Sequence, residues 1–158
     1  MLKNKKAFTL TEMLVVVVLI GILSAVALPK FSGMLESRKT SEAEELMAVI
    51  RSEQEYRCTA DRTYATDFNS LSQRTLQSNN DRAETSNFTY RLQGSGMSAV
   101  SKGKYHYTLK MPSYADGRLC CEGSSGDCEK LTKPYPKCNE LENQGDFRKA
   151  PTTCTVGD

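Results

Sequence analysis

A chain of 158 residues, 39% hydrophobic and 25% charged, has room for one modest globular domain besides an apolar span, and not for two. Its formal net charge of +2 supplies no bulk basic field for nucleic acid or anionic lipid. The six cysteines all lie beyond residue 57, and their even number fits pairing in an oxidising compartment.

The chain opens with Lys3, Lys5 and Lys6, followed by an apolar run. Met13 to Leu28 carries no charge, and Ser24 is its only clearly polar member. Residues 8 to 28 form a helix about 31 Å long, matching a hydrocarbon core of about 30 Å. The lysine cluster favours a cytoplasmic N-terminus and sends the remaining chain outward. Glu12 is the exception in the span: a charged residue mid-span costs roughly 2.5 to 3.5 kcal/mol on insertion scales. It lies about 9 Å inward of Lys6, so snorkelling reduces that cost without removing it. A buried carboxylate of this kind needs a cationic partner. Two other readings of the segment stand beside this one: a secretory signal cut at Ala25-Val26-Ala27, leaving a chain that begins at Leu28, and an uncleaved anchor that gives Glu12 no role.

Past Pro29 the helical pattern continues. Ala43, Leu46, Met47 and Ile50 recur at spacings of three and four, while Glu42, Glu44, Glu45, Arg51 and Glu53 fill the other side. One rod over residues 8 to 57 is expected, apolar all round in 8–28 and amphipathic in 29–57. Pro29 cannot donate to the Ala25 carbonyl and is expected to kink the rod, with Gly21 a second weak point.

Residues 58–87, rich in Ser, Thr, Asn, Asp and Arg, are expected to form a connecting loop with at most a short turn near Phe68 and Leu71. An antiparallel sheet is expected over 88–121. Phe88, Tyr90 and Leu92 alternate with polar neighbours, as do Tyr105, Tyr107, Leu109 and Met111. Gly94-Ser95-Gly96 and Lys102-Gly103 suggest a flexible hairpin loop between them, and a third strand is expected over Arg118 to Cys121. The amphipathic helix half is the available cover for this sheet. Residues 122–158 lose periodicity and depend on cross-links, each contributing roughly 2 to 4 kcal/mol. Cys58, Cys120, Cys121, Cys128, Cys138 and Cys154 allow fifteen connectivities. The vicinal Cys120 and Cys121 point to opposite faces of a strand and pair elsewhere. The expected set is Cys121 with Cys128, Cys138 with Cys154, and Cys58 with Cys120.

The N-terminal segment AFTLTEMLVVVVLIGILSAVALPKF resembles the class III signal of type IV pilins and type II secretion pseudopilins. In that family a basic leader is cut just before Phe, and the fifth mature residue is acidic. Phe8, Thr9, Leu10, Thr11 and Glu12 match that count, and Pro29 falls at mature position twenty-two. Ala7 stands where the family usually has Gly. The resemblance implies a leader of residues 1–7, cleavage between Ala7 and Phe8, and N-methylation of Phe8 by a prepilin peptidase/methyltransferase. It also implies a single-pass inner-membrane precursor, an inner-membrane assembly platform, and polymerisation with itself and other pilins into an extracellular filament. A periplasmic location would go with a pseudopilin. The fold it implies is α+β: a long helix on a small antiparallel sheet of about three strands, closed by disulfides. Loss of the three leader lysines would take the formal charge from +2 to −1. The new Phe8 amine lies four residues before Glu12 on one helix face and can neutralise it in the same chain or in a neighbour. The resemblance implies the neighbour.

Other signals are weak. The cysteine spacings lack the close pairs of zinc sites, so no metal is expected there. Asp116, Asp127 and Asp146 occupy loops where the resemblance to major pseudopilins raises calcium, but their order is not that of an EF-hand. His106, the only histidine, falls on the solvated side of a strand. Tyr105 and Tyr107 read as core rather than as a platform for nucleic acid, and no specific nucleic acid partner is expected. No phosphate loop, nucleophile elbow or paired-carboxylate motif appears, so neither a cofactor nor an enzymatic activity is expected. A minor tip subunit that binds through its C-terminal loops remains open beside the structural subunit.

Overall fold

A computed structural model describes residues 8–72, 77–79, 82–124, 126–131, 133–143 and 154, without the side chains of 29–33, 77–79 and 142–143. Its dominant element is α1, Leu10–Asp61, a helix of 52 residues. The backbone is helical through both Gly21 and Pro29. α1 runs four residues beyond the expected end at 57 and stops where Arg62 turns left-handed (φ 60°), its N–H donating to the Cys58 carbonyl at 3.1 Å.

The far half of α1 buries a stripe at spacings of three and four: Glu36, Thr40, Ala43, Met47, Ile50, Gln54 and Cys58. The apolar members meet a sheet of six antiparallel strands in simple sequential order. These are β1 (Gln77–Asn79), β2 (Arg82–Glu84), β3 (Phe88–Gln93), β4 (Gly96–Ser101), β5 (Tyr107–Met111) and β6 (Cys120–Gly123). The α+β helix-on-sheet architecture is as expected; the strand number is six rather than about three. Phe88, Tyr90, Met97, Ala99, Tyr107, Leu109 and Met111 face α1 and form the core.

The additional strands have physical reasons for being missed. β1 and β2 are three residues each, too short to show a period, and they occupy the stretch expected to be a connecting loop. Within that stretch the short turn at Phe68–Ser70 does form, with Phe68 and Leu71 buried. β4 replaces most of the expected flexible loop. Its sequence GMSAVS is small and weakly β-forming, and the hairpin is closed by Gly94-Ser95 alone, with Gly94 at φ +58°. Gly96 is required there, because a Cβ would fall onto the carbonyls of Met111 and Pro112. The last strand begins at Cys120 and reaches Gly123, two residues later than expected at each end.

The C-terminal region carries more structure than cross-links alone. Leu131 joins the main core, and a short helix α2, Cys138–Asn143, packs on the outer face of β6. There Cys120, Cys138 and Leu141 make a second small cluster, while Cys121 faces the main core. The vicinal cysteines therefore do point to opposite faces. The disulfides are Cys58–Cys154, Cys120–Cys138 and Cys121–Cys128. Only Cys121–Cys128 matches expectation; Cys58–Cys120 and Cys138–Cys154 are corrected. The reason is local: residues 136–137 run beside β6, with the Cys121 N–H on the Pro136 carbonyl at 2.9 Å. That brings Cys138 to Cys120, leaving Cys58 at the end of α1 for Cys154.

Candidate functional site

Chemistry on this chain concentrates at the start of α1. Thr9, in extended conformation (φ −85°, ψ 152°), caps the helix, and Glu12 closes a capping box with it. The Thr9 N–H and the Thr9 hydroxyl each donate to Glu12 Oε2 at 2.8 Å, and the Glu12 N–H donates back to Thr9 Oγ1 at 3.3 Å. The capping box satisfies the N–H groups of Thr9 and Glu12, and the carboxylate stands at the positive end of the helix dipole. The described hydrogen bonds all use Oε2, which leaves Oε1 for another donor.

Around the box the surface is apolar and open. Phe8 is 76% exposed, and Phe8, Thr11, Glu12, Val15 and Val16 line a shallow groove of about 440 Å³. Every large hydrophobic side chain from Leu10 to Leu28 is exposed, and the segment is long and apolar enough to cross a membrane. An uncovered helix of this kind needs lipid or other helices around it. Gly21 lies in the middle of it, and a Cβ there would meet nothing within 4 Å, so packing inside the chain does not account for this glycine.

The far half of α1 is held to the head by polar contacts as well as by its core stripe. The Tyr107 hydroxyl donates to Glu36 Oε1 at 3.0 Å, and Lys39 Nζ lies 3.0 Å from Glu36 Oε2. Gln54 pairs with the Ala65 backbone in both directions, at 3.0 and 2.7 Å. Arg51 donates to the carbonyls of Tyr114 and Ala115, and Glu44 accepts from Lys133 at 2.6 Å and from the Tyr135 hydroxyl. Burial pushes the Tyr90 hydroxyl up to about 12, and burial also raises Tyr107 and Tyr114 strongly.

The other candidate residues are dispersed. His106 is exposed, and its backbone N–H donates to Asp127 Oδ2 at 2.9 Å. A hydrogen bond from Lys130, then the His106 N–H, holds the Asp127 carboxyl below the usual carboxylate range. Asp116 pairs with Arg118 at 2.7 Å and Asp127 with Lys130 at 2.7 Å. Ala7, Asp146 and the Pro29 side chain lie outside what is described. All six cysteines are in disulfides, and among the described residues no group of three His, Cys, Asp or Glu side chains is placed to hold a metal. Tyr107 is core, as expected, and Tyr105 is half-buried beneath Lys130 and Lys104.

Sequence reasoning singled out Phe8 and Glu12 but missed Thr9. The signal was present, since Thr9-x-x-Glu12 before an apolar run has capping-box spacing. It likewise missed Glu36, which continues the buried stripe of α1 one turn before Thr40 and looks like an ordinary surface glutamate in the sequence.

Comparison with known proteins agrees with this placement. Residues 2–28 match the family model described as the prokaryotic N-terminal methylation motif, and this supports a prepilin-type signal of the type IV pilin and pseudopilin kind. No curated protein and no solved structure matches the chain.

Proposed function

We propose that this chain is a structural subunit of a type IV pilus-like filament, made as an inner-membrane precursor whose prepilin-type signal covers residues 2–28. The single observation that carries this is the apolar, unburied first half of α1 with one carboxylate, Glu12, set in its first turn. The span fits inner-membrane anchoring before assembly. Prepilin peptidase cuts between Ala7 and Phe8 and methylates the Phe8 amine, which keeps its charge.

In the polymer the Glu12 carboxylate of an incoming subunit meets the Phe8 ammonium of the subunit before it. The low dielectric of the membrane makes this the strongest interaction available to either group, so it sets axial register. The capping box supports the role: Thr9 fixes one carboxylate oxygen and leaves the other for the neighbour. Residues 8 to about 57 then form the fibre core, and Gly21 and Pro29 are where that core bends or melts. The head, sealed by three disulfides, rides outside it.

Mass spectrometry of the mature N-terminus tests the first step. N-methyl-Phe8 is the expected result; a chain beginning at Leu28 identifies a secreted soluble domain instead, and retained Met1 in assembled material defeats the proposed pairing. Electron microscopy of sheared fractions tests the second. Long surface fibres dominated by this chain are expected. Exoprotein trapped in the periplasm of a deletion strain would assign it to a type II secretion pseudopilus, and scarcity in the fibres would make it a minor tip subunit.

A further inference from the structure

The sheet face turned away from α1 carries a row of cations across adjacent strands. Arg82 stands opposite Arg91, Arg91 opposite Ser98, and Ser98 opposite Lys110. Lys110 is neutralised by Glu122, and Glu84, on the next row, is taken by Lys102 at 2.7 Å. Among the described residues no ion pair engages Arg82 or Arg91, and Arg91 is exposed. Like charges directly opposite on neighbouring strands repel, and a guanidinium cannot relieve this by losing its proton. Glu84, two residues along β2 from Arg82, attracts it but is already paired with Lys102, so the repulsion between the two guanidiniums is only partly offset. A ligand carboxylate would remove the repulsion and engage both planar donor forks.

We propose that Arg82 and Arg91 are a docking site for an acidic polysaccharide bearing uronate carboxylates. The accessible part of the row is the pair itself, Arg82 half-buried and Arg91 exposed on adjacent strands about 4.8 Å apart, and two such cations side by side suit the repeated carboxylates of a linear polymer. Thr89 and Thr108, both half-buried, share that face and offer hydroxyls to sugar hydroxyls, whereas Ser98 between the strands is buried. Phe88, Tyr90 and Tyr107 all point to the core instead, so these strands offer no aromatic platform for the stacked bases of single-stranded nucleic acid. On the proposed assembly through α1, this face turns away from the fibre axis and repeats on every subunit, giving multivalent capture. That last step rests on the filament reading; binding by single chains does not.

The test uses the full-length protein in neutral detergent, with immobilised polygalacturonate at about 0.15 M salt, compared with the Arg82→Gln/Arg91→Gln double variant. Wild type is expected to bind, and the double variant to lose about tenfold or more in affinity, with a thermal unfolding midpoint equal to or above wild type because the repulsion is gone. Failure of wild type to bind, equal binding by the double variant, or a lowered midpoint that marks the pair as structural would overturn the proposal. Stronger retention on single-stranded DNA than on polygalacturonate would overturn the ligand class. Monomers that bind while no fibres form would count against the filament reading and leave the docking site standing.

Discussion

The Tyr107 hydroxyl donates to the Glu36 carboxylate at 3.0 Å, joining the start of β5 to α1 across 71 residues of sequence. Glu36 is 3% exposed, so this carboxylate has left water and relies on Tyr107 and Lys39 alone among the described residues. It marks the level at which α1 stops being an uncovered rod and becomes part of the head.

Tyr107→Phe therefore removes one of two partners from a buried acid and should destabilise the head by about 1 to 3 kcal/mol. Glu36→Gln, which keeps the shape and drops the charge, should cost less than Tyr107→Phe. Urea unfolding in detergent would measure both, and an unchanged midpoint for Tyr107→Phe would show that the contact carries no weight.

At the other end of α1, Glu12→Ala should leave membrane insertion intact or improved while sharply reducing sheared filament yield, because the lost carboxylate serves assembly and burdens the bilayer. Thr9→Val removes the hydroxyl that caps the helix and leaves the Glu12 carboxylate held by the residue-9 N–H alone, at a local cost of about 1 kcal/mol. It should give an intermediate fibre yield with normal leader cleavage. Normal fibres in the Glu12 variant would end the register role.

Cys58–Cys154 closes a loop over a sequence separation of 96, whereas Cys121–Cys128 spans 7. Chain-entropy estimates put a loop near 100 residues at about 4.7 kcal/mol and one of 15 residues at about 3. Cys58→Ser/Cys154→Ser should thus lower stability more than Cys121→Ser/Cys128→Ser and should open the C-terminal tail to proteases first. Limited proteolysis with mass mapping reads this directly; equal protection of the tail in both variants would contradict it.

Alkali should unfold the head through its tyrosines. Burial lifts Tyr90 to about 12 from 10.0 and raises Tyr107 and Tyr114 as well. A group whose folded pKa lies above its unfolded value binds its proton more firmly when folded. Its contribution is complete below 10.0 and fades as pH climbs toward the folded value. Unfolding and tyrosinate absorbance should accordingly rise together above pH 10, with Tyr90→Phe moving the onset upward. Full tyrosine ionisation with the circular dichroism unchanged would refute the linkage.

What could be read without coordinates was whatever depends on near neighbours in the chain. The apolar span, its lone carboxylate, the methylation-type signal and the stripe through Ala43, Met47 and Ile50 are periodic or adjacent in sequence, so hydropathy and helix geometry alone expose them. The longer alternations in β3 and β5 were legible for the same reason. Tertiary structure decided the rest. β1, β2 and β4 exist because neighbouring strands supply their hydrogen bonds, not because their own residues favour extension. The partners of Cys58, Cys120 and Cys138 depend on residues 136–137 lying alongside β6. The burial of Glu36 and the opposition of Arg82 to Arg91 are likewise products of packing and register, which bring together groups that carry no trace of one another along the chain.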